Sequence, residues 1–184
     1  LVLGGRLVLT PAEAVELEDD PAKVEEGGGS SGTATIASDL EDADLERAVR
    51  SLTWGAFTNS GQVCASIERI YVQQEVAQTF TQRFVEETRG LRQGPDRSFG
   101  VDVGAMVNKM QFEVVKEQID EAKAKGAKVL VGGNARAGEG EKGGYFIEPT
   151  VITDASDELL VRREETFGPV VTIVPVADAR EAVR

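Results

Sequence analysis

Helical spacing and short apolar runs take turns along most of this chain, and that alternation restricts the fold more than any single residue does. Residues 42–57 place Leu45, Ala48, Val49, Leu52 and Ala56 at helical intervals. Residues 67–73 then read as a strand with Ile70, Tyr71 and Val72 inside it. Residues 75–89 return to helical spacing through Val76, Phe80, Phe84 and Val85. Residues 108–125 do so through Phe112, Val115, Ile119 and Ala122, and Gly126 ends that helix. Strands are predicted at 33–37, at 128–131 as a buried strand closed by Gly132-Gly133, at 145–151 and at 170–176. A loop at 59–66, a turn at Gly94-Pro95-Asp96 and a mobile polar loop at 138–144 separate them. Strand and helix alternating over short links predict an α/β fold, a mostly parallel sheet flanked by helices.

The first 32 residues read differently. Residues 1–9 suit a hairpin around Gly4-Gly5. Thr10-Pro11-Ala12-Glu13 has the cap and first-turn proline of a helix start, and an acidic stretch at 16–20 runs into Pro21. Gly27-Gly28-Gly29-Ser30-Ser31-Gly32 has the composition of a flexible linker or a plain surface loop. The expected organisation is therefore an atypical segment and linker over 1–32, then a folded body over 33–184. A length of 184 residues is enough for one domain with a substantial core.

Charge and cysteine usage narrow the setting. With 20 basic against 32 acidic residues the net charge is −12, which argues against nucleic acid and anionic membrane as partners. No apolar run approaches membrane-spanning length, and Leu1-Val2-Leu3-Gly4-Gly5-Arg6 is too short and too broken by glycine for a signal peptide. The chain begins without methionine, which reads as an internal piece, a processed product or a partial reading frame. One cysteine forms no internal disulfide, so a reducing, cytoplasmic compartment is expected.

The same counts restrict the chemistry. There is no histidine, so Cys-His and Ser-His catalysis and histidine-ligated metal are excluded within the chain. The single thiol, Cys64, lies in Asn59-Ser60-Gly61-Gln62-Val63-Cys64-Ala65-Ser66, among glycine and small side chains. As a nucleophile it would need a carboxylate acting through water, backbone dipoles or a bound cofactor. The plainer alternative is a small buried core residue.

Three segments carry a resemblance. They are Phe57-Thr58-Asn59-Ser60-Gly61-Gln62-Val63-Cys64 with Arg69-Ile70-Tyr71-Val72; Gly126-Ala127-Lys128-Val129-Leu130-Val131-Gly132-Gly133 with Gly144-Tyr145-Phe146-Ile147-Glu148-Pro149-Thr150; and Glu164-Glu165-Thr166-Phe167-Gly168-Pro169-Val170. In this order and at these separations the chain, over residues 34–184, resembles the catalytic domain of the NAD(P)-dependent aldehyde dehydrogenase superfamily. The resemblance implies an α/β body forming part of that domain and a cofactor, NAD or NADP. It implies oxidation of an aldehyde to a carboxylic acid: a thiolate attacks the carbonyl, the thiohemiacetal gives hydride to the nicotinamide, and water hydrolyses the thioester. Cys64 matches the nucleophile, with its backbone N–H as one oxyanion donor. Glu165 matches the glutamate that takes the nicotinamide ribose hydroxyls, against the alternative of a solvated surface acid beside Glu164. Phe167 matches the aromatic near the nicotinamide. Gln111 stands where some relatives approach the ribose, although a polar residue on an exposed helix face is the simpler reading.

The chain also departs from the pattern. The family's general base precedes the cysteine segment in a Glu-Leu-Gly-Gly motif, whereas Val24-Glu25-Glu26-Gly27-Gly28 stands here. Glu26 is the candidate remnant of that base, displaced by a longer spacing. The resemblance implies that the nucleotide-binding domain that would supply most cofactor contacts is missing, and no strand–Gly-x-Gly-x-x-Gly–helix fingerprint is read in its place. The expectation is a catalytic-domain portion that is inactive without that domain, with a separate nucleotide-binding domain or a homo-oligomer as its partner. The alternative is a non-catalytic remnant of the same fold acting in binding or assembly.

Overall fold

The expected alternation produces one seven-stranded sheet with helices packed on it. The structure, a computed structural model, describes residues 45–95, 100–137, 143–178 and 181–182, and the backbone of strands at 2–3, 6–9 and 32–36. In chain order the strands are β1 (Val2–Leu3), β2 (Arg6–Leu9), β3 (Gly32–Ile36), β4 (Ile67–Gln73), β5 (Lys128–Val131), β6 (Ala135–Ala137), β7 (Tyr145–Ile147), β8 (Thr150–Thr153) and β9 (Val170–Val176). The helices are α1 (Leu45–Phe57), α2 (Gln74–Arg89), α3 (Lys109–Ala124) and a single turn, α4 (Leu160–Arg163). The main sheet runs β1-β2-β3-β4-β9-β8-β5. The β2–β3, β3–β4, β4–β9 and β8–β9 pairs are parallel, and the two outermost pairs are antiparallel.

Period-two alternation divides the strands between two cores. In β8, Val151 joins the first cluster and its neighbour Ile152 the second; in β9, Val170 belongs to the second, Val171 and Ile173 to the first. The first core holds the apolar stripes of α1 and α2. Its aromatic centre is Phe80 against Phe84 at 5.6 Å and Phe57 against Phe84 at 6.2 Å between ring centroids. The second core holds Phe112, Val115, Ile119 and Ala122 of α3, the four residues that helical spacing predicted. Asn108 caps α3, its Oδ1 accepting from the Gln111 N–H at 2.9 Å.

Several expectations need correction. The strand predicted at 145–151 is two strands broken at Glu148-Pro149. Proline lacks an N–H for a ladder, and the break sends β7 to pair with β6 while β8 joins the main sheet. The strand at 128–131 is an edge, with Lys128 exposed and the other three residues half-buried. Strand β6 and helix α4 were not predicted; both are too short to show a period. The loop at 59–66 opens with a 3-10 turn, Thr58–Gly61. The hairpin read at 1–9 takes the form of antiparallel β1 and β2, whose register pairs Val2 with Leu7. Parallel pairing of β2 with β3 then joins it to the main sheet. The helix start at Thr10, the linker glycines before Gly32 and the body of the 138–144 loop lie outside the described residues.

Candidate active site

Two loops meet at the end of the sheet where β4 and β9 begin. The parallel register pairs Arg69 with Thr172. Cys64 precedes Arg69 by five residues, and Phe167 precedes Thr172 by the same number, so the register brings the two loops to one end.

The Cys64 loop is built on left-handed backbone. Asn59, Ser60 and Gly61 have φ of 51°, 59° and 70° in succession. Such φ costs a non-glycine residue about 1–3 kcal/mol, and the surroundings must hold it. The Asn59 amide donates to the Gln62 carbonyl at 3.1 Å, and the Gln62 backbone N–H returns to the Asn59 carbonyl at 3.2 Å. Gln62 also reaches outward: its Oε1 accepts from the Val107 N–H at 2.7 Å and its Nε2 donates to the Ala105 carbonyl at 3.3 Å. A turn closed by the Ser66 N–H on the Val63 carbonyl at 2.8 Å then carries Cys64. Its thiol is free and exposed, so the reading of a buried core cysteine is set aside. Among the described residues the Cys64 N–H has no acceptor.

The second loop, 164–169, is gripped from several directions. Gly61 lies so close to it that a Cβ there would fall on the Gly168 carbonyl. A Cβ on Gly168 would in turn lie 2.6 Å from Val115 of α3. Gln111 donates its Nε2 to the Thr166 carbonyl at 2.8 Å and the Phe167 carbonyl at 3.4 Å, and Gln118 donates to the Glu165 carbonyl at 3.4 Å. Phe167 is left-handed, with φ of 47°. Glu165 is exposed and Phe167 half-buried.

Glu68 was not foreseen. It is 3% exposed, on the central strand β4, and accepts the N–H groups of Thr166 at 3.0 and 3.1 Å and of Phe167 at 2.8 Å. The available signal was an acid between Ile67 and Ile70 in a strand otherwise suited to burial. Burial raises its pKa above the ordinary 4.5, and the Glu165 charge adds to that; the two N–H bonds and Arg69 oppose it without overcoming it. Between 4.5 and its raised folded value the unfolded chain loses this proton first, so stability falls as pH rises through that window. Relative to Glu68→Gln, the wild-type chain is expected to lose stability over that range. The slope approaches at most about 1.4 kcal/mol per pH unit and flattens above the folded value. Urea midpoints of both proteins across the range measure it, and parallel pH profiles would contradict it.

The third segment completes the neighbourhood. The Thr150 N–H donates to the Pro169 carbonyl at 2.8 Å, and Gly133 donates to the Thr150 hydroxyl at 2.9 Å. The 164–170 segment is thus joined to the 126–150 segment by the Thr150–Pro169 backbone bond and to the Cys64 segment by the close approach of Gly61 and Gly168. The "Aldehyde dehydrogenase family" model matches residues 22–184. The chain belongs to the aldehyde dehydrogenase family. That match begins upstream of residue 34, where the resemblance in the sequence was read to start.

Individual relatives agree with it. A Mycolicibacterium smegmatis protein named "Putative succinate-semialdehyde dehydrogenase", with NADP(+) in its name, is 45% identical over 141 residues, 77% of this chain and 27% of that one. Lactaldehyde dehydrogenase from Escherichia coli superposes with a TM-score of 0.74 at 35% identity, over 85% of this chain and 31% of that one. The NAD+ complex of an aldehyde dehydrogenase from Bacillus cereus gives 0.72 at 35% identity, over 85% and 30%. The chain therefore spans under a third of the length of these relatives.

Of the predicted site residues, Cys64, Glu165 and Phe167 lie on the two loops that meet. Gln111 lies behind them, with its side-chain amide engaged on loop carbonyls. Glu26 lies outside the described residues. A groove of about 890 Å³ between α2 and the far ends of β8 and β9, lined by Gln78, Arg89, Thr153 and Pro175 among others, is at the opposite end of the sheet. No helix among the described residues is long and apolar enough to cross a membrane.

Proposed function

We propose that this chain is the nucleophile-bearing portion of an NAD(P)-dependent aldehyde dehydrogenase that converts an aldehyde to a carboxylic acid. The observation that carries this reading is the exposed Cys64 thiol on a turn fixed against the loop that bears Glu165. As thiolate, the sulfur attacks the carbonyl carbon, and the charge that develops on oxygen falls to the Cys64 N–H, which has no other described acceptor.

The residues of the second loop suit the ribose end of a dinucleotide. Glu165 offers two acceptor oxygens for two adjacent hydroxyls, and Phe167 offers a half-buried aromatic ring beside them. When bound, the nicotinamide supplies the hydride acceptor. The chain's own part is to hold the ribose through Glu165 and to keep the thiol placed. Two such contacts do not meet the cost of immobilising a dinucleotide, so the chain alone is expected to turn over little.

The test is cofactor reduction with NAD+ and a short aliphatic aldehyde. We expect little product from the chain by itself. When it is joined to the nucleotide-binding domain of a full-length family member, reduced cofactor should form and iodoacetamide should abolish it. No reduction in that combination, or reduction indifferent to iodoacetamide, would overturn the proposal.

A further inference from the structure

We propose that Glu68 is a positioning residue for cofactor binding: its carboxylate holds the 165–167 backbone in the one conformation that turns Glu165 outward. This rests on the reading that Glu165 holds the nicotinamide ribose.

Three observations support it. First, Phe167 is left-handed, a conformation that a bulky side chain avoids, so something must hold it there. The Phe167 N–H and the preceding Thr166 N–H both end on the same Glu68 carboxylate. A carboxylate accepts two adjacent N–H groups without presenting a donor, which no amide or hydroxyl side chain can do. Second, Glu68 is anchored independently of the loop. It sits within β4, between two parallel neighbours, and its own carbonyl accepts from the Thr172 hydroxyl at 3.2 Å. The loop is therefore referenced to the same strand that follows Cys64. Third, the loop's carbonyls are taken from the α3 side by Gln111 and Gln118, while its N–H groups are taken from the sheet side by Glu68. Losing the sheet-side grip leaves the buried Thr166 donor and the half-buried Phe167 donor unpaired, and Phe167 free to leave its strained conformation. Glu165, exposed on the loop, then loses its fixed direction. The negative charge of Glu68 beneath the loop also repels the Glu165 carboxylate, which favours its outward placement.

The experiment follows amide exchange and iodoacetamide alkylation in the full chain, and NAD+ titration in that chain joined to the nucleotide-binding domain of a full-length family member, comparing wild type with Glu68→Ala, Glu68→Gln and Glu165→Gln. Hydrogen exchange at Thr166 and Phe167 is expected to accelerate tenfold or more in Glu68→Ala, on the order expected for a lost charged hydrogen bond. NAD+ affinity, read from chemical-shift titration, should fall about as far as in Glu165→Gln. The rate at which iodoacetamide alkylates Cys64 should stay within about threefold, since the turn that carries the thiol has its own bonds. Glu68→Gln keeps one acceptor and the side-chain volume, so it should bind NAD+ more tightly than Glu68→Ala; it carries the test if the alanine variant does not fold. Faster exchange with unchanged NAD+ affinity would overturn the proposal and leave Glu68 a purely structural residue. Protected Thr166 and Phe167 amides in Glu68→Ala would overturn it as well. If Glu165→Gln binds NAD+ as wild type does, the ribose reading itself fails, a result separate from either of these.

Discussion

Replacing Gly61 with alanine is expected to destabilise the chain by about 4 kcal/mol or more, the range reserved for substitutions that the structure cannot absorb. Two costs act together. Gly61 has φ of 70°, which an L side chain resists. A Cβ there also falls on the Gly168 carbonyl, and the neighbour is backbone that Val115 supports from behind. Neither loop can retreat without breaking bonds: the Gly61 side is held by Asn59 and Gln62, the Gly168 side by Glu68 and Gln111. Gly126→Ala is the control. That glycine has φ of 91° with nothing within 4 Å, so only the backbone cost applies, about 1 kcal/mol. Calorimetric melting should show roughly 8–16 °C lost for Gly61→Ala and a few degrees for Gly126→Ala. Equal shifts for the two would refute the close approach of the two site loops.

Cys64→Ala is expected to remove all thiol-dependent acyl transfer. With p-nitrophenyl acetate the wild-type chain should acetylate at Cys64 and release p-nitrophenol, because the first half of the chemistry needs only the sulfur and an oxyanion donor. The variant should release it at the rate of buffer alone. The substitution should scarcely touch stability, within about 0.5 kcal/mol, because the side chain is exposed. A clean separation is therefore available: full loss of reactivity in a protein that melts like wild type. Acetylation that persists at the same rate in Cys64→Ala would place the nucleophile elsewhere.

The fold was legible where period and length were both strong. Residues 109–124 have a helical stripe sixteen residues long and a cap, and 170–176 is nearly all β-branched, so both emerged at or within a residue of their bounds. β6 and α4, of three and four residues, are too short to show a period and lack the apolar run that marked β5, which is why they were missed. Pro149 was visible, yet its consequence, two strands in two different sheets, depends on pairing that no local pattern encodes. Cys64, Glu165 and Phe167, which lie on the two loops that meet, were picked out through the resemblance alone. Nothing in their spacing says that residues a hundred positions apart meet. Glu68 escaped because its partners are backbone N–H groups, which every residue carries and no sequence marks. Gln111 was picked out for contact with a ligand, and in the structure its amide is engaged on the loop that bears Glu165.

The pairing of Arg69 with Thr172 sets how finely nature can adjust the candidate site. Strands slip only by whole residues, about 3.3 Å at a time, and each slip turns every side chain to the other face. The offset between sulfur and acid therefore works like a notched gauge. Mutations in β4 and β9 can only hold the notch or lose it, and gradual tuning is left to the rotamers and hydrogen bonds of the two short loops above.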